Sequence, residues 1–367
     1  MIGFTKPERY LMQRTLRGVI VLGAASLALI ISIDFLEALR QVSGREGAGL
    51  MQAIQLTLLR GPQLLIILSP FIMLFGTLLA FAQLARSLEV AVFRAAGFSV
   101  WRIIGAPVTL SVLLGIGLVT LVDPLTTRMS LRADNLLNSI KGAETATPRA
   151  FQTGIWLRQD GDDGDVFILH AEKLDLSEGS FDNVQVWRKS AAGLVYERYD
   201  APLAELDGQS VTLVNTLRSV PGQALGQSVG NVTFKTSFEA RDLAMSGTRP
   251  ESLNIWNLPR LMNRIGNAGI PLEPYAQRLH ELFATPVRLA AMAVIACVFA
   301  LPIHARGGGT ARLILSGIVA GFAAFILIQF STAMGEAGLI PVVIAAWTPP
   351  LVTLLVGLSI LLFQEDG

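Results

Sequence analysis

Six apolar runs constrain the fold of this chain more than any other feature of its sequence. A helix needs about 20 apolar residues to cross the roughly 30 Å hydrocarbon core of a bilayer. The runs carry few charges and fit no strand period, so each predicts a membrane-spanning helix. They cover approximately residues 17–39, 63–84, 103–122, 282–303, 313–334 and 342–363. A charged fraction of 16% and a mean hydropathy of +0.53 also exclude a wholly soluble chain.

The region between the third and fourth runs has the opposite character. Residues 123–281 hold 16 Lys or Arg and 20 Asp or Glu, most of the charge of the protein, so this block faces water. Short segments rich in Val, Ile, Phe, Trp and Tyr alternate there with turn pairs such as Asp207-Gly208. This pattern predicts an all-β domain of the sandwich or jelly-roll type. The expected strands cover approximately residues 154–158, 166–170, 184–188, 194–199, 211–217 and 232–238.

The distribution of Lys and Arg in the short flanks of the spans predicts the orientation. Short loops on the cytoplasmic side of a membrane carry an excess of basic residues. The side that holds the N-terminus has nine of them, against three on the other side (Arg40, Arg45 and Arg60). We therefore expect both termini in the cytoplasm and the β domain in the periplasm of a bacterial inner membrane. The nine are Lys6, Arg9, Arg14, Arg17, Arg86, Arg94, Arg102, Arg306 and Arg312.

The predicted fold class is thus an α-helical membrane protein with six transmembrane helices and a periplasmic all-β, jelly-roll-like domain inserted between helices 3 and 4. Two helices, about 253–265 and 275–282, are expected to lead back to the membrane. The predicted domains are 1–122, with spans 1–3 and a cytoplasmic helix at about 86–97; 123–281, with a β core at about 150–240 and the helical return; and 282–367, with spans 4–6.

The sequence contains no arrangement typical of a soluble enzyme. Its three histidines are not paired at metal-ligand spacing, so no metal site is predicted. It has no G-x-x-x-x-G-K-[ST] loop, so this chain cannot hydrolyse ATP by that mechanism. A net charge of +1 gives no basic field for nucleic acid. We expect a protein that is not an enzyme and binds no cofactor.

Glu89 stands out in the short connection between spans 2 and 3. Apolar Leu88, Val92 and Phe93 recur around it at helical spacing, and Gly97 can end the helix. This predicts a short amphipathic helix at the membrane face. The helix is either an interfacial anchor or a coupling helix whose acidic residue engages a basic groove of a cytoplasmic motor subunit.

Charged residues also occur at the end of the first span, where they are costly. Asp34, Glu37 and Arg40 are separated by three residues each, so they share one helix face. This face is expected to look into a cavity or towards a partner and to contact ligand. The alternatives are an internal ion pair and side chains that reach back to water.

The arrangement of three spans, a large β domain and three more spans resembles the LptF/LptG family, the permease subunits of the lipopolysaccharide export ABC transporter. The resemblance covers essentially the whole chain. Its most specific pieces are Glu8-Arg9-Tyr10-Leu11, the segment Ala85 to Phe98, and Pro286 with Pro302 around span 4. The motif Gly154-Ile155-Trp156-Leu157 looks like LptG more than LptF.

The resemblance implies a set of partners and a function. The partners would be an LptF-like permease, an LptB-like ATPase dimer and an LptC-like single-span protein, with ATP used only by the ATPase. The spans would enclose a cavity that accepts lipopolysaccharide from the inner membrane and expels it towards the outer membrane.

Site residues follow from the same resemblance. Glu89, flanked by Arg86 and Arg94, would be the coupling-helix acid that meets the ATPase. The stretch with Asp34, Glu37 and Arg40 would line the cavity and meet the phosphates of the lipid. Asp34 departs from this pattern, because LptG relatives can carry a basic residue there. Either Arg40 and Arg45 replace that charge, or the exported glycolipid is less anionic.

Two other functions fit the sequence. One is a membrane-anchored periplasmic scaffold that binds a ligand; it would need no separate ATPase. The other is a mechanotransmission-type ABC permease, which acts on periplasmic partners without moving lipid and more typically has four spans.

Overall fold

A computed structural model gives the fold of the chain. It describes residues 5–43, 49–141, 155–160, 165–175, 179–190, 194–222, 226–236, 250, 253–266, 272–301 and 310–366. The chain divides into two compact units. The helical unit comprises Met1–Ile140 and Ala276–Gly367, and the sheet unit comprises Lys141–Tyr275.

Long helices dominate the described chain. Six of them are long and apolar enough to cross a membrane, and they coincide with the six predicted runs. An antiparallel sheet in the middle of the chain completes the predicted combination of six transmembrane helices and an inserted all-β domain, which is confirmed. The helices are α1 (Lys6–Val42), α2 (Leu50–Arg86), α3 (Glu89–Ala95), α4 (Val100–Gly117), α5 (Asp123–Lys141), α6 (Leu258–Gly266), α7 (Glu273–Ala300), α8 (Thr310–Glu336) and α9 (Val342–Asp366), with a π-helical turn at Leu118–Val122 between α4 and α5.

Local sequence explains how the first helices begin and pack. Thr5 and Glu8 form a capping box at the start of α1, which satisfies backbone N–H groups that have no partner within the helix. Farther along, α1 lies against α2 with almost no space between the backbones. A Cβ atom on Gly76 would lie 2.6 Å from Cα of Val19, so this contact requires glycine.

Burial differs sharply between the spans. The most apolar window of α7 is 72% buried and that of α1 is 6% buried, so α7 forms the centre of the helical unit. Gly317 and Gly321 of α8, a G-x-x-x-G pair in the sequence, face Phe299 and Leu74 of the same chain. That small-residue pair therefore serves packing within the chain. The outer surface of α1 is left apolar and exposed, as expected for a helix that meets lipid or another membrane subunit.

The sheet unit contains one antiparallel sheet whose strands follow chain order. Alternate residues form its buried face, which includes Leu157, Leu169, Phe181, Val186 and Leu213. Each predicted strand overlaps an observed one. The strands are β1 (Ile155–Asp160), β2 (Val166–Asp175), β3 (Ser180–Lys189), β4 (Val195–Asp207), β5 (Ser210–Ser219) and β6 (Gln227–Lys235).

The sheet is rolled instead of flat. The rings of Phe167 in β2 and Phe234 in β6 lie 5.4 Å apart, although three strands separate them in the sheet order. A line of irregular residues crosses the sheet where it bends. Asn183 and Asn215 have positive φ angles of 50° and 55°, and Gly230, paired with Thr216, has 71°. These residues interrupt the regular pleat and turn the strands inward.

Some expectations differ from the structure in detail. The predicted helix 275–282 is the first part of α7, since the helix runs without a break from Glu273. Arg60, counted in a short loop, lies within α2, because the helix continues beyond its apolar core. Arg45, Gly154, Pro302 and Arg306 lie outside the described residues. The division into domains 1–122, 123–281 and 282–367 stays a prediction.

Candidate functional site

Glu89 begins α3, and its carboxylate is bound from two directions. The hydroxyl of Tyr10 in α1 donates to Oε2 at 2.6 Å, and the hydroxyl of Ser87 donates to Oε1 at 2.8 Å. Arg14, one turn after Tyr10, donates from Nε to the Tyr10 hydroxyl at 2.9 Å and lies 3.8 Å from Glu89 through Nη2. We call Tyr10, Arg14, Ser87 and Glu89 the coupling cluster.

These contacts determine the charge state of Glu89. The hydrogen bond from Tyr10, then that from Ser87, and the positive charge of Arg14 hold the pKa of the Glu89 carboxyl below its usual value. Each of these groups favours the charged form, which outweighs the opposite effect of partial burial. Glu89 is therefore an anion at neutral pH.

The two basic residues predicted with Glu89 lie elsewhere. Arg86 ends α2 and Arg94 lies in the last turn of α3. Both are exposed, and neither forms an ion pair or hydrogen bond within the part of the chain that the structure describes. Leu88 and Val92 between them are 68% and 66% exposed. The outward surface of α3 is thus apolar and basic, while its acid points to α1.

Other contacts bring both chain ends to the same end of the helical unit. Glu8 in α1 accepts a hydrogen bond from Nε of Arg102 in α4 at 2.8 Å. Glu365, near the end of α9, accepts from the backbone N–H of Val100 at 3.4 Å. The beginning of α1, the beginning of α4 and the end of α9 therefore meet close to α3.

The predicted cavity residues form a second polar group at the other end of α1. Asp34 lies 3.7 Å from Nη1 of Arg60 in α2. Arg60 also donates to Gln41 at 3.1 Å, and Gln41 donates to Glu37 at 3.1 Å. We call Asp34, Glu37, Gln41 and Arg60 the far cluster. The internal ion pair that the sequence left open as an alternative is therefore present.

The three predicted cavity residues differ in their burial and in their hydrogen-bond partners. Oδ2 of Asp34 is buried and has no hydrogen-bond partner among the described residues. Glu37 and Arg40 are exposed, and Arg40 has no polar partner there. The structure thus brings Asp34 and Glu37 into one network and leaves Arg40 out of it. Asp34, Glu37 and Arg40 lie in the last third of α1, whereas Tyr10, the α1 residue that contacts Glu89, lies in its second turn.

An apolar groove of about 390 Å³ lies between α1, α2 and α8. None of Asp34, Glu37 and Arg40 lines it, whereas Arg86 forms part of its wall. Apolar side chains with one guanidinium suit a lipid-like molecule better than a polar one. The lining residues are Leu22, Phe75, Leu78, Leu79, Ala82, Gln83, Arg86 and Ile318.

Sequence reasoning missed the partners that lie far apart in the chain. Tyr10 and Glu89 are separated by 79 residues, and the ion pair of Asp123 with Arg278, 2.8 Å long, by 155. Asp123 is 1% exposed and directly follows the π-helical turn. The signal for Tyr10 was its spacing from Arg14, which puts both on one face of α1.

Comparison with known proteins identifies the family. The family model described as lipopolysaccharide export system permease LptF/LptG matches residues 9–363, nearly the entire chain. No curated protein matches the sequence. The match extends over all six candidate spans and the sheet. The chain therefore belongs to the LptF/LptG family of lipopolysaccharide export permeases.

Proposed function

We propose that this chain is the permease subunit of an exporter that an LptB-like ATPase dimer drives, with α3 as the contact to the ATPase. The observation that carries the proposal is the exposed apolar pair Leu88 and Val92 on a short helix outside the spans. Exposed apolar side chains on such a helix fit a hydrophobic groove of a partner. The guanidiniums of Arg86 and Arg94, which have no polar partner in the described part of the chain, add positive charge before α3 and in its last turn.

The proposed orientation puts α3 and both termini in the cytoplasm and the sheet unit in the periplasm. The excess of Lys and Arg in the short flanks on the N-terminal side supports it. The hydrogen bond between Glu365 and Val100 also supports it, since the end of α9 lies beside the beginning of α4. The ATP that the transporter consumes is bound by the ATPase, and this chain needs no cofactor of its own.

We further propose an LptF-like permease and an LptC-like single-span protein as partners, with this chain in the LptG-like position. The exposed apolar surface of α1 supports a membrane partner. The assignment to LptG rests on the motif at residues 154–157, of which Trp156 lies exposed in β1. Copurification with an LptF-like chain, but not with a second copy of this one, is the expected result.

The cargo of the proposed pathway is lipopolysaccharide, which enters from the inner membrane and leaves towards the outer membrane. Arg40 is exposed and has a free guanidinium among the described residues, so it can pair with a lipid phosphate. Asp34 repels phosphate less than the sequence suggests, because Arg60 lies beside it.

The test uses α3 variants in the purified complex. Leu88 has a φ of 59°, a conformation that asparagine tolerates, so Leu88→Asn removes the apolar side chain without new backbone strain. We expect at least about a tenfold loss of ATPase copurification, since a buried Leu contributes about 1.5–3 kcal/mol. Ala91→Ser, an exposed position on the same helix, is the matched control.

Full ATPase binding by Leu88→Asn would contradict the role of α3. Dependence of lipid release on the ATPase separates the exporter from a membrane-anchored scaffold. Transfer of lipopolysaccharide into the aqueous phase separates it from a mechanotransmission permease, which would hydrolyse ATP without moving lipid.

A further inference from the structure

The outward face of the sheet carries a continuous row of side chains that the proposed function does not use. Five residues form it, one each from β1 to β5, and each is the ladder partner of the next: Trp156, His170, Gln185, Asp200 and Leu217. We call them the outer row. Their chain neighbours Leu157 and Leu169 belong to the buried face, so the row lies on the opposite, water-facing side. At about 4.8 Å per strand, the row extends about 19 Å across the sheet.

Trp156 gives one end of the outer row a flat aromatic surface. Its ring stacks on that of Trp187, with centroids 5.5 Å apart and planes 7° apart. The ring of His170 lies 4.3 Å from that of Trp156, and the guanidinium of Arg198 lies 5.8 Å from that of Trp187. Trp156 nevertheless remains 58% exposed. Its neighbours fix the orientation of the ring, so the exposed part is a preformed platform for a ligand.

A depression of about 360 Å³ lies beside this platform, and the rest of the outer row lines it. Its volume falls in the range of small-molecule sites, about 300–1,000 Å³. The irregular residues Asn183 and Asn215, with φ of 50° and 55°, also line it. Such interruptions of the pleat re-aim side chains, and here they add two amides to the depression.

The depression offers hydrogen-bonding groups that the described chain does not use. The side-chain amides of Gln185 and Asn215 have no hydrogen-bond partner within the described ranges. Asp200 accepts both of its hydrogen bonds from Arg198 through Oδ1, at 2.9 and 2.6 Å, so Oδ2 stays available. An amide both donates and accepts, and a carboxylate accepts. Hydroxyl groups, which also donate and accept, match this set.

The charge of the depression selects among ligands that carry hydroxyl groups. The described residues that line it include the carboxylates of Glu172 and Asp200 and no Lys or Arg. A phosphate would therefore meet negative charge and no cation in the lining. The C–H groups of a sugar ring, in contrast, carry a small positive charge and pack on the negative face of an aromatic ring. An aromatic platform beside free amides and carboxylates thus fits an uncharged sugar.

We propose that the outer row is a binding site for neutral sugar residues. One sugar ring packs on Trp156, and its hydroxyl groups bond to Gln185, Asn215 and Oδ2 of Asp200. The further assignment, that these sugars belong to the oligosaccharide of the lipopolysaccharide cargo, rests on the proposed function.

The experiment uses the full chain in phospholipid nanodiscs, because detergents with sugar headgroups would compete for the site. The probe is the oligosaccharide of lipopolysaccharide, freed of lipid and phosphate. Saturation-transfer NMR detects its binding, and a titration of tryptophan fluorescence gives the affinity. We expect the protons on one face of a sugar ring to receive most of the saturation. Trp156→Ala should weaken binding about tenfold, and Gln185→Ala about fivefold.

Matched controls separate the site from the rest of the sheet unit. Trp256 is 61% exposed and lies in the same unit, outside the outer row. Gln209 is exposed in the turn between β4 and β5. Trp256→Ala and Gln209→Ala should stay within about twofold of the wild type. Trp156→Phe keeps a ring and should bind better than Trp156→Ala, while thermal unfolding verifies that all variants are folded.

Several results would overturn the inference and leave the proposed function in place. They are no oligosaccharide binding by the folded wild type, equal losses in Trp156→Ala and Trp256→Ala, and a preference for the phosphorylated oligosaccharide. Binding of soluble peptidoglycan fragments alone would overturn the assignment to the cargo. Burial of Trp156 against the LptF-like partner, without oligosaccharide binding, would make this face a protein contact and also overturn the inference. Sugar binding by a chain whose complex hydrolyses ATP without releasing lipopolysaccharide would support the site and overturn the proposed function.

Discussion

The two ends of α1 carry polar clusters of similar composition and different quality. In the coupling cluster, both carboxylate oxygens of Glu89 accept a hydrogen bond shorter than 3 Å. In the far cluster, Asp34 has one ion-pair contact at 3.7 Å and a buried oxygen without a partner among the described residues. A buried acceptor without a donor costs about 1–3 kcal/mol. The coupling cluster therefore satisfies both carboxylate oxygens, whereas in the far cluster a donor that reached Oδ2 of Asp34 would be stabilising.

The largest expected effect on lipopolysaccharide release comes from the coupling cluster. Glu89→Ala removes three polar contacts and should reduce lipopolysaccharide release in the reconstituted transporter more than about tenfold. Glu37→Ala, the same substitution in the far cluster, loses the hydrogen bond from Gln41, which is the one polar contact of Glu37 among the described residues. We expect the control to stay within about threefold of the wild type. Equal losses in the two variants would mean that the clusters do not differ as described.

A second effect concerns stability at the far end. Arg60→Ala leaves Asp34 without its ion-pair partner and should destabilise the helical unit by about 1–3 kcal/mol. Asp34→Ala/Arg60→Ala should recover part of this loss, because the carboxylate that the single variant leaves without its partner is then removed as well. Thermal unfolding in detergent provides the measurement. A double variant less stable than Arg60→Ala alone would contradict the pairing.

The third prediction tests which level of α1 meets the cargo. A photo-crosslinking residue at position 40 should label lipopolysaccharide several-fold more than one at Leu29, which is 64% exposed and lies about 16 Å away along the helix axis. Position 40 lies at the level of the far cluster, where a polar lipid headgroup can reach, whereas Leu29 lies within the apolar part of the span. Labelling of bulk phospholipid alone at position 40 would remove Arg40 from the cavity.

The smallest effect is the pH dependence of the coupling cluster. Because the pKa of Glu89 is lowered, its contacts are complete above the ordinary glutamate value of about 4.3 and are lost as the pH falls through the lowered value. In Tyr10→Phe the carboxyl should titrate closer to its ordinary value. Carbon NMR of labelled glutamate carboxyls in nanodiscs, with Glu89→Gln for assignment, measures both midpoints. Identical midpoints in wild type and Tyr10→Phe would exclude the hydrogen bond.

Much of the fold could be predicted because its signals are local. Run length identifies a span and alternation identifies a strand, so the six spans and six strands were found at nearly their observed positions. Helix ends were harder. The apolar core of α2 ends well before the helix does, and Arg60 was therefore assigned to a loop.

The candidate site was only partly predictable. Residue type and spacing pointed to Glu89 and to the shared face of Asp34 and Glu37. Their partners could not be found in this way, since Tyr10 and Arg60 reach them through tertiary packing that periodicity does not encode. For Glu89 the structure adds the contacts with Tyr10 and Ser87 inside the chain, and its role towards an ATPase stays a prediction.

The curvature of the sheet depends on the backbone conformation of three residues. Asn183, Asn215 and Gly230 adopt a left-handed backbone that β-branched residues avoid at a cost of roughly 1–2 kcal/mol each. Valine at both asparagines would favour straight strands, separate Phe167 from Phe234 and uncover aromatic surface. Substitution at these few backbone positions would therefore open the roll even where every residue of the buried face is unchanged.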